Sequence, residues 1–140
     1  MGSSSSKNKN GALIGTPTMT GTMTTPLFNG LLLRIIDERT GTWGFYSNTE
    51  DYEFHIFYLF GVDSTLEPFG QTTMTEEDDG IMCEMTLYPL ETKKFVQGDV
   101  SSYECKIEAR PLSEEYFQSH PKVNERKYYR RLVPPKAKSF

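Results

Sequence analysis

Apolar and polar positions alternate with a period of two through most of the middle of the chain, the mark of strands with one buried face. After Gly30, Leu31, Leu33 and Ile35 alternate with Leu32, Arg34 and Ile36, and the β-branched content favours a strand. Thr40-Gly41 supplies a turn, and Trp43-Gly44-Phe45-Tyr46 reads as the returning strand of a hairpin. Tyr52, Phe54, Ile56, Tyr58 and Phe60 then share one face, opposite Glu53 and His55, until Gly61 ends the run. A weaker strand is predicted around 66–71, followed by a polar stretch over 72–79. Ile81, Cys83, Met85 and Leu87 point one way and Glu84, Thr86 and Tyr88 the other, with Pro89 as terminator. Phe95-Val96-Gln97 forms a short strand closed by Gly98, and Tyr103, Cys105, Ile107 and Ala109 alternate with Glu104, Lys106 and Glu108 up to Pro111.

These seven runs, with regular turn chemistry and no convincing amphipathic helix, predict an all-β domain over residues 30–118. An antiparallel β-sandwich or barrel-like arrangement is expected. Ser113 is placed to cap a single helical turn at Glu114-Glu115-Tyr116. Residues 1–29 are predicted to be a disordered tether, because Leu13, Ile14, Leu27 and Phe28 are too sparse to offset the entropy of ordering the segment. Residues 119–140 read as a basic tail that includes Pro134-Pro135. No internal repeat is present.

Charge changes this picture. The net charge of −4 conceals two basic ends on an acidic body. Lys7 and Lys9 bring +2 to residues 1–9. Lys122, Arg126, Lys127, Arg130, Arg131, Lys136 and Lys138 against Glu125 bring +6 to residues 120–140, which leaves −12 for 10–119. Such a body is not a nucleic-acid binder over its main surface, but its ends suit an anionic surface. At 140 residues the chain has room for one modest core. It contains no run of the ~20 apolar residues that a bilayer-spanning helix needs. The start also lacks a secretory pattern, so a cytosolic placement with Cys83 and Cys105 reduced is expected.

Met1-Gly2-Ser3-Ser4-Ser5-Ser6 matches the N-myristoylation pattern, in which loss of Met1 exposes the unhindered amine of Gly2 and a small hydroxyl residue occupies position 6. One myristoyl chain holds a bilayer only reversibly, with K ~10⁴ M⁻¹. A second signal is therefore expected from Lys7, Lys9, Lys122, Arg126, Lys127, Arg130 and Arg131, each worth about 1 kcal/mol beside an anionic leaflet. Alternatively the tail folds back on its own acidic body. Phe57 and Leu59 sit on the polar face of their strand, and Tyr88 does so on another. Either a second layer covers them, or they form an apolar patch for a peptide or lipid.

Catalytic constellations are poor. Cys83 and Cys105 fall on the apolar faces of predicted strands, His55 lies in a strand and His120 at the edge of the tail. A cysteine hydrolase needs a thiolate beside a histidine, which this placement does not provide. No zinc site, no other metal site and no cofactor are called for by four scattered ligands. Glu76-Glu77-Asp78-Asp79 is an acidic run without the spacing of a calcium loop; a solvated turn is expected, with a calcium-dependent regulatory or lipid-binding β-domain as the alternative function.

Several stretches in fixed order resemble the kinetoplastid small myristoylated and small calpain-related proteins. They are Gly30-Leu31-Leu32-Leu33-Arg34-Ile35-Ile36-Asp37, Trp43-Gly44-Phe45-Tyr46-Ser47-Asn48-Thr49, Phe60-Gly61, Tyr88-Pro89, Phe95-Val96-Gln97-Gly98 and Pro111-Leu112-Ser113-Glu114-Glu115-Tyr116. The resemblance implies a calpain-like N-terminal β-domain without a protease core, acylated at Gly2 and attached to the flagellar or flagellar-pocket membrane. Members with two lipids carry a cysteine near that glycine, where this chain has serines. The expected function is a non-catalytic, membrane-tethered interaction module with a protein or lipid partner.

Overall fold

The computed structural model describes residues 13–137, with side chains as far as Arg131. Two antiparallel sheets pack face to face. One sheet runs β1-β2-β3-β8-β5 and the other β6-β7-β4-β9. The first contains β1 Met23–Leu27, β2 Leu32–Asp37, β3 Thr42–Ser47, β5 Thr65–Pro68 and β8 Thr92–Asp99. The second contains β4 Tyr52–Phe60, β6 Thr73–Glu77, β7 Gly80–Leu87 and β9 Tyr103–Pro111. A single 3-10 turn at Phe28–Gly30 follows β1, and helices α1 Glu114–Ser119 and α2 Glu125–Ala137 complete the described chain.

The inner faces are those that alternation marked in β4 and β7. Phe54, Ile56, Tyr58 and Phe60 meet Cys83, Met85 and Leu87 from the neighbouring strand, and Phe45, Phe95 and Leu32 from the facing sheet. Trp43 stands edge-on to Tyr58, Phe60 and Tyr103 at 5.4–5.8 Å, arrangements worth about 0.5–1.5 kcal/mol each beyond their buried area. The β3–β8 pairing slips between Trp43 and Gly44, and beside this bulge Phe95 and Val96 are both fully buried.

β2 is apolar on both sides because both are used. Leu32 and Ile36 enter the core, while Ile35, with Leu33 against it, packs with Tyr46 and Met19 on the outer face. Residues 13–22 thus lie as a strap across the outside of the first sheet, with the Thr22 amide donating to the Ile36 carbonyl at 2.8 Å. Gly44 makes room for it: a Cβ there would collide with Met19 Sδ.

Several expectations require correction. The architecture is a sandwich of two open sheets, not a closed barrel, and two helices mean that it is not purely all-β. The segment read as tether contains β1 and the strap within residues 13–29; residues 1–12 lie outside the described part. β6 forms within the stretch read as merely polar, because Met74 contributes an inward side chain and the rest pair through the main chain with β7. The tail read over 119–140 contains α2. The helical turn at Ser113 does form, with Ser113 Oγ accepting from the Tyr116 amide at 3.3 Å, as a capping serine does.

Candidate functional site

Strand pairing fixes what lies at one end of the sandwich. Leu32 pairs with Ser47 and Tyr46 with Thr92, while Phe54 pairs with Leu87 and Tyr52 with Pro111. The loop at residues 48–51 joins the two sheets there, and both terminal segments are fastened to it. On one side the Ile14 amide donates to Asn48 Oδ1 at 2.7 Å. Asn48 is itself held by bonds from its amide to the Leu31 carbonyl and from Nδ2 to the Gly30 carbonyl. On the other side the Tyr128 hydroxyl donates to the Asp51 carbonyl at 2.6 Å and accepts from the Leu112 amide at 2.9 Å. Tyr128 is 2% exposed and packs with Leu112, Tyr116 and Phe117, a small second core between the two helices and the body.

The basic residues of this end are exposed. Lys122 precedes α2, and Arg126, Lys127, Arg130 and Arg131 lie on its surface. Arg131 folds back: it pairs with Asp51, Nε lying 3.1 Å from Oδ1, and its guanidinium rests 5.6 Å from the Tyr128 ring centre. At this exposure the pair contributes at most ~1 kcal/mol. The alternative in which the tail folds onto the acidic body therefore holds for Arg131 and Tyr128. Gly2, Lys7 and Lys9 lie outside the described residues.

Apolar side chains gather at the same end. Leu13, Ile14, Leu90, Val123 and Tyr129 are all exposed. Leu90 and Val123 line a cleft of about 330 Å³ together with Glu50, Lys127 and Arg131. Leu90 has a φ of 61°, a left-handed conformation uncommon for a bulky residue, in the turn between β7 and β8. Acidic residues are interspersed, among them Glu50, Asp51, Glu91, Glu114 and Glu115. Alternation in sequence gave no sign of this end, because turn and loop residues carry no strand period.

The other candidates resolve as follows. Phe57 and Leu59 lie half-buried on the outer face of the second sheet beside Met82, in a shallow cleft of about 370 Å³. Glu104 and Lys106 rim it. Tyr88 is covered by α1, its ring 5.5 Å from that of Tyr116. Glu77 pairs with Gly80, so Asp78 and Asp79 form the tight turn of the β6–β7 hairpin. Among the described residues no group of three or more His, Cys, Asp or Glu side chains is arranged to hold a metal ion.

Cys83 is buried, and that burial pushes its thiol up to about 11, away from nucleophilic use. Cys105 departs from expectation: it lies on the inner face of β9 yet is exposed. Alternation identifies a strand's face but not whether the facing sheet reaches far enough to cover it. β9 is the last strand of its sheet, and most of it is exposed. His55 is turned to the outer face, where Nε2 lies 2.7 Å from Glu53 Oε2. His120 stacks on Tyr116 at 4.1 Å between ring centres. Neither histidine is paired with a cysteine.

The model of the family described as "Domain of unknown function (DUF1935)" matches residues 12–112. A solved structure called a Leishmania major hypothetical protein is 37% identical, with a TM-score of 0.68 over 73% of this chain and 93% of its own. The NMR structure of SMP-1 (Small Myristoylated Protein) from Leishmania major is 34% identical, with a TM-score of 0.71 over 79% of this chain and 88% of its own. No curated protein matches.

Proposed function

The chain belongs to the family described as Domain of unknown function (DUF1935), and from that premise we propose that it is a non-catalytic interaction module tethered to a membrane through an acyl group on Gly2. The observation that carries the proposal is a coincidence of two independent facts. The sequence carries a myristoylation pattern at Gly2, and a protein named for its myristoylation is 34% identical over 79% of this chain and shares its fold. In this reading the module works on the cytosolic face of the flagellar, flagellar-pocket or plasma membrane, and its calpain-related ancestry carries no protease activity.

The end of the sandwich around residues 48–51 is the part of the body turned to the lipid. Support comes from the attachment of both terminal segments there, the Ile14 side leading back towards Gly2 and the Tyr128 side carrying the cations. Lys7, Lys9, Lys122, Arg126, Lys127 and Arg130 supply the second, electrostatic signal, with Arg131 partly spent on Asp51. Two or three such contacts strengthen binding by roughly a hundredfold over one lipid.

Intact-mass measurement of protein from its own cells, with flotation on vesicles containing phosphatidylserine, tests this. One myristoyl group and salt-sensitive flotation are expected, with flotation lost in Gly2→Ala and weakened when Lys122, Arg126, Lys127 and Arg130 are changed to Gln. An unmodified glycine amine and no flotation overturn the proposal.

A further inference from the structure

An arginine occupies a core-facing position of β2. Leu32 and Ile36 flank Arg34 on the inner face, so its side chain is directed between the sheets. There Nη1 donates to the hydroxyls of Tyr58 at 3.2 Å and Tyr103 at 3.1 Å. Its guanidinium carbon lies 5.4 Å from the ring centre of Trp43 and 5.5 Å from that of Tyr103. None of the ion pairs among the described residues involves it, and Nε is buried with no acceptor. Ring faces and hydroxyl oxygens are weaker partners for a half-buried guanidinium than a carboxylate would be. Nη1 is taken up by the two phenols and Nη2 makes no hydrogen bond to the described residues, so one charged donor is left for an anionic oxygen.

The surroundings are apolar. Leu27, Phe28, Tyr58, Cys105 and Ile107 enclose with Arg34 a cleft of about 280 Å³ on the open flank of the sandwich, between the strand edges β1 and β9. Phe28 has a φ of 52° and Asn29 one of 55°, two consecutive left-handed residues that hold the Phe28 ring against Phe54 at 5.4 Å. For a residue as bulky as Phe that conformation costs on the order of 1–3 kcal/mol.

From a half-buried guanidinium that lines an apolar cleft and has no carboxylate partner among the described residues, we propose that this flank binds a single-chain amphiphilic carboxylate of the fatty-acid class. Its head meets Arg34, and its alkyl chain lies between Leu27 and Phe28 on one side and Ile107 on the other. The site lies on the flank, with its Leu27-Phe28 wall adjoining the end around Asn48, and does not depend on acylation of Gly2.

Cys105 provides the readout, since its exposed thiol lines the cleft while Cys83 is buried. The full chain is alkylated with a maleimide in solution without vesicles, in the presence of decanoate, decyl phosphate or decanol, each kept below its micellar range. Decanoate at ten times its Kd is expected to slow Cys105 labelling about tenfold. Decyl phosphate should protect less at equal concentration, and decanol should not protect. Arg34→Met should abolish the protection by decanoate. Ile107→Trp, which fills the cleft and leaves Arg34 in place, should do the same and covers the case in which Arg34→Met does not fold. Equal protection by decanol, stronger protection by decyl phosphate, or no protection by decanoate overturns the proposal. So does undiminished protection by decanoate in a folded variant. Because no membrane is present, these outcomes stand apart from the fate of the tethering proposal.

Discussion

The Tyr128 hydroxyl bonds the main-chain carbonyl of Asp51 at 2.6 Å, and this contact joins a helix near the end of the described chain to the loop that connects the two sheets. The same oxygen accepts from the Leu112 amide, so one atom serves as both donor and acceptor. Loss of that atom deprives the Leu112 amide and the Asp51 carbonyl of their partner together.

Tyr128→Phe is therefore expected to cost roughly 1–3 kcal/mol, a range set by the unpaired Leu112 amide. Urea denaturation gives the total. Hydrogen exchange locates it, with faster exchange expected in α1 and α2 while β4 stays protected. Uniform acceleration across the sheets would contradict the localised role.

Gly44→Ala introduces a methyl group into the seat of Met19. A loss of about 1–3 kcal/mol is expected, the usual range for overpacking, together with faster proteolysis within residues 13–22. In a Met19→Ala background the same change should cost much less, and a double-mutant cycle measures the difference. Additive effects would show that the strap does not rest on Gly44.

Trp43 faces three aromatic partners and the guanidinium of Arg34, so Trp43→Ala should be the most damaging of these substitutions, at about 3–5 kcal/mol. Thermal melting followed by far-ultraviolet circular dichroism measures it. A loss below 1 kcal/mol would mean that the aromatic cluster is not the centre of the core.

Alkaline pH should weaken the fold. Burial raises the Cys83 thiol from 9.0 to about 11, and it raises the Tyr58 phenol from 10.0 to about 12 against the opposing influence of Arg34. The folded protein thus keeps protons that the unfolded chain releases, and the unfolded state gains as pH rises. Stability attributable to Cys83 is complete below pH 9.0 and falls away up to about pH 11; that from Tyr58 falls from pH 10.0 to about pH 12. Urea midpoints across this range should decline, and Cys83→Val should flatten the first part. A constant midpoint would refute the linkage.

Much of this architecture was legible where burial is one-sided. β4 and β7 present their alternation directly, because one face meets the core and the other meets solvent or helix. β1 escaped notice because its pairing with β2 is made by main-chain groups, which Thr and Pro do not advertise, and its side chains are largely exposed. Helix α2 escaped for a related reason: Tyr128 is its one buried side chain among those described, and a single anchor produces no period. Arg34 was visible in the sequence on the Leu32 and Ile36 side of its strand. Which side of β2 faced the core stayed open, since both are apolar.

The strap over the first sheet also sets a height. With Ile14 fastened at Asn48, about a dozen peptide units separate the body from Gly2, a length that even fully drawn out reaches no more than ~45 Å. A lipid at that glycine would moor the body on a short line rather than a long one. So moored, it would engage only what stands within a few nanometres of the bilayer, and a binding site carried farther from the lipid would lie beyond its radius.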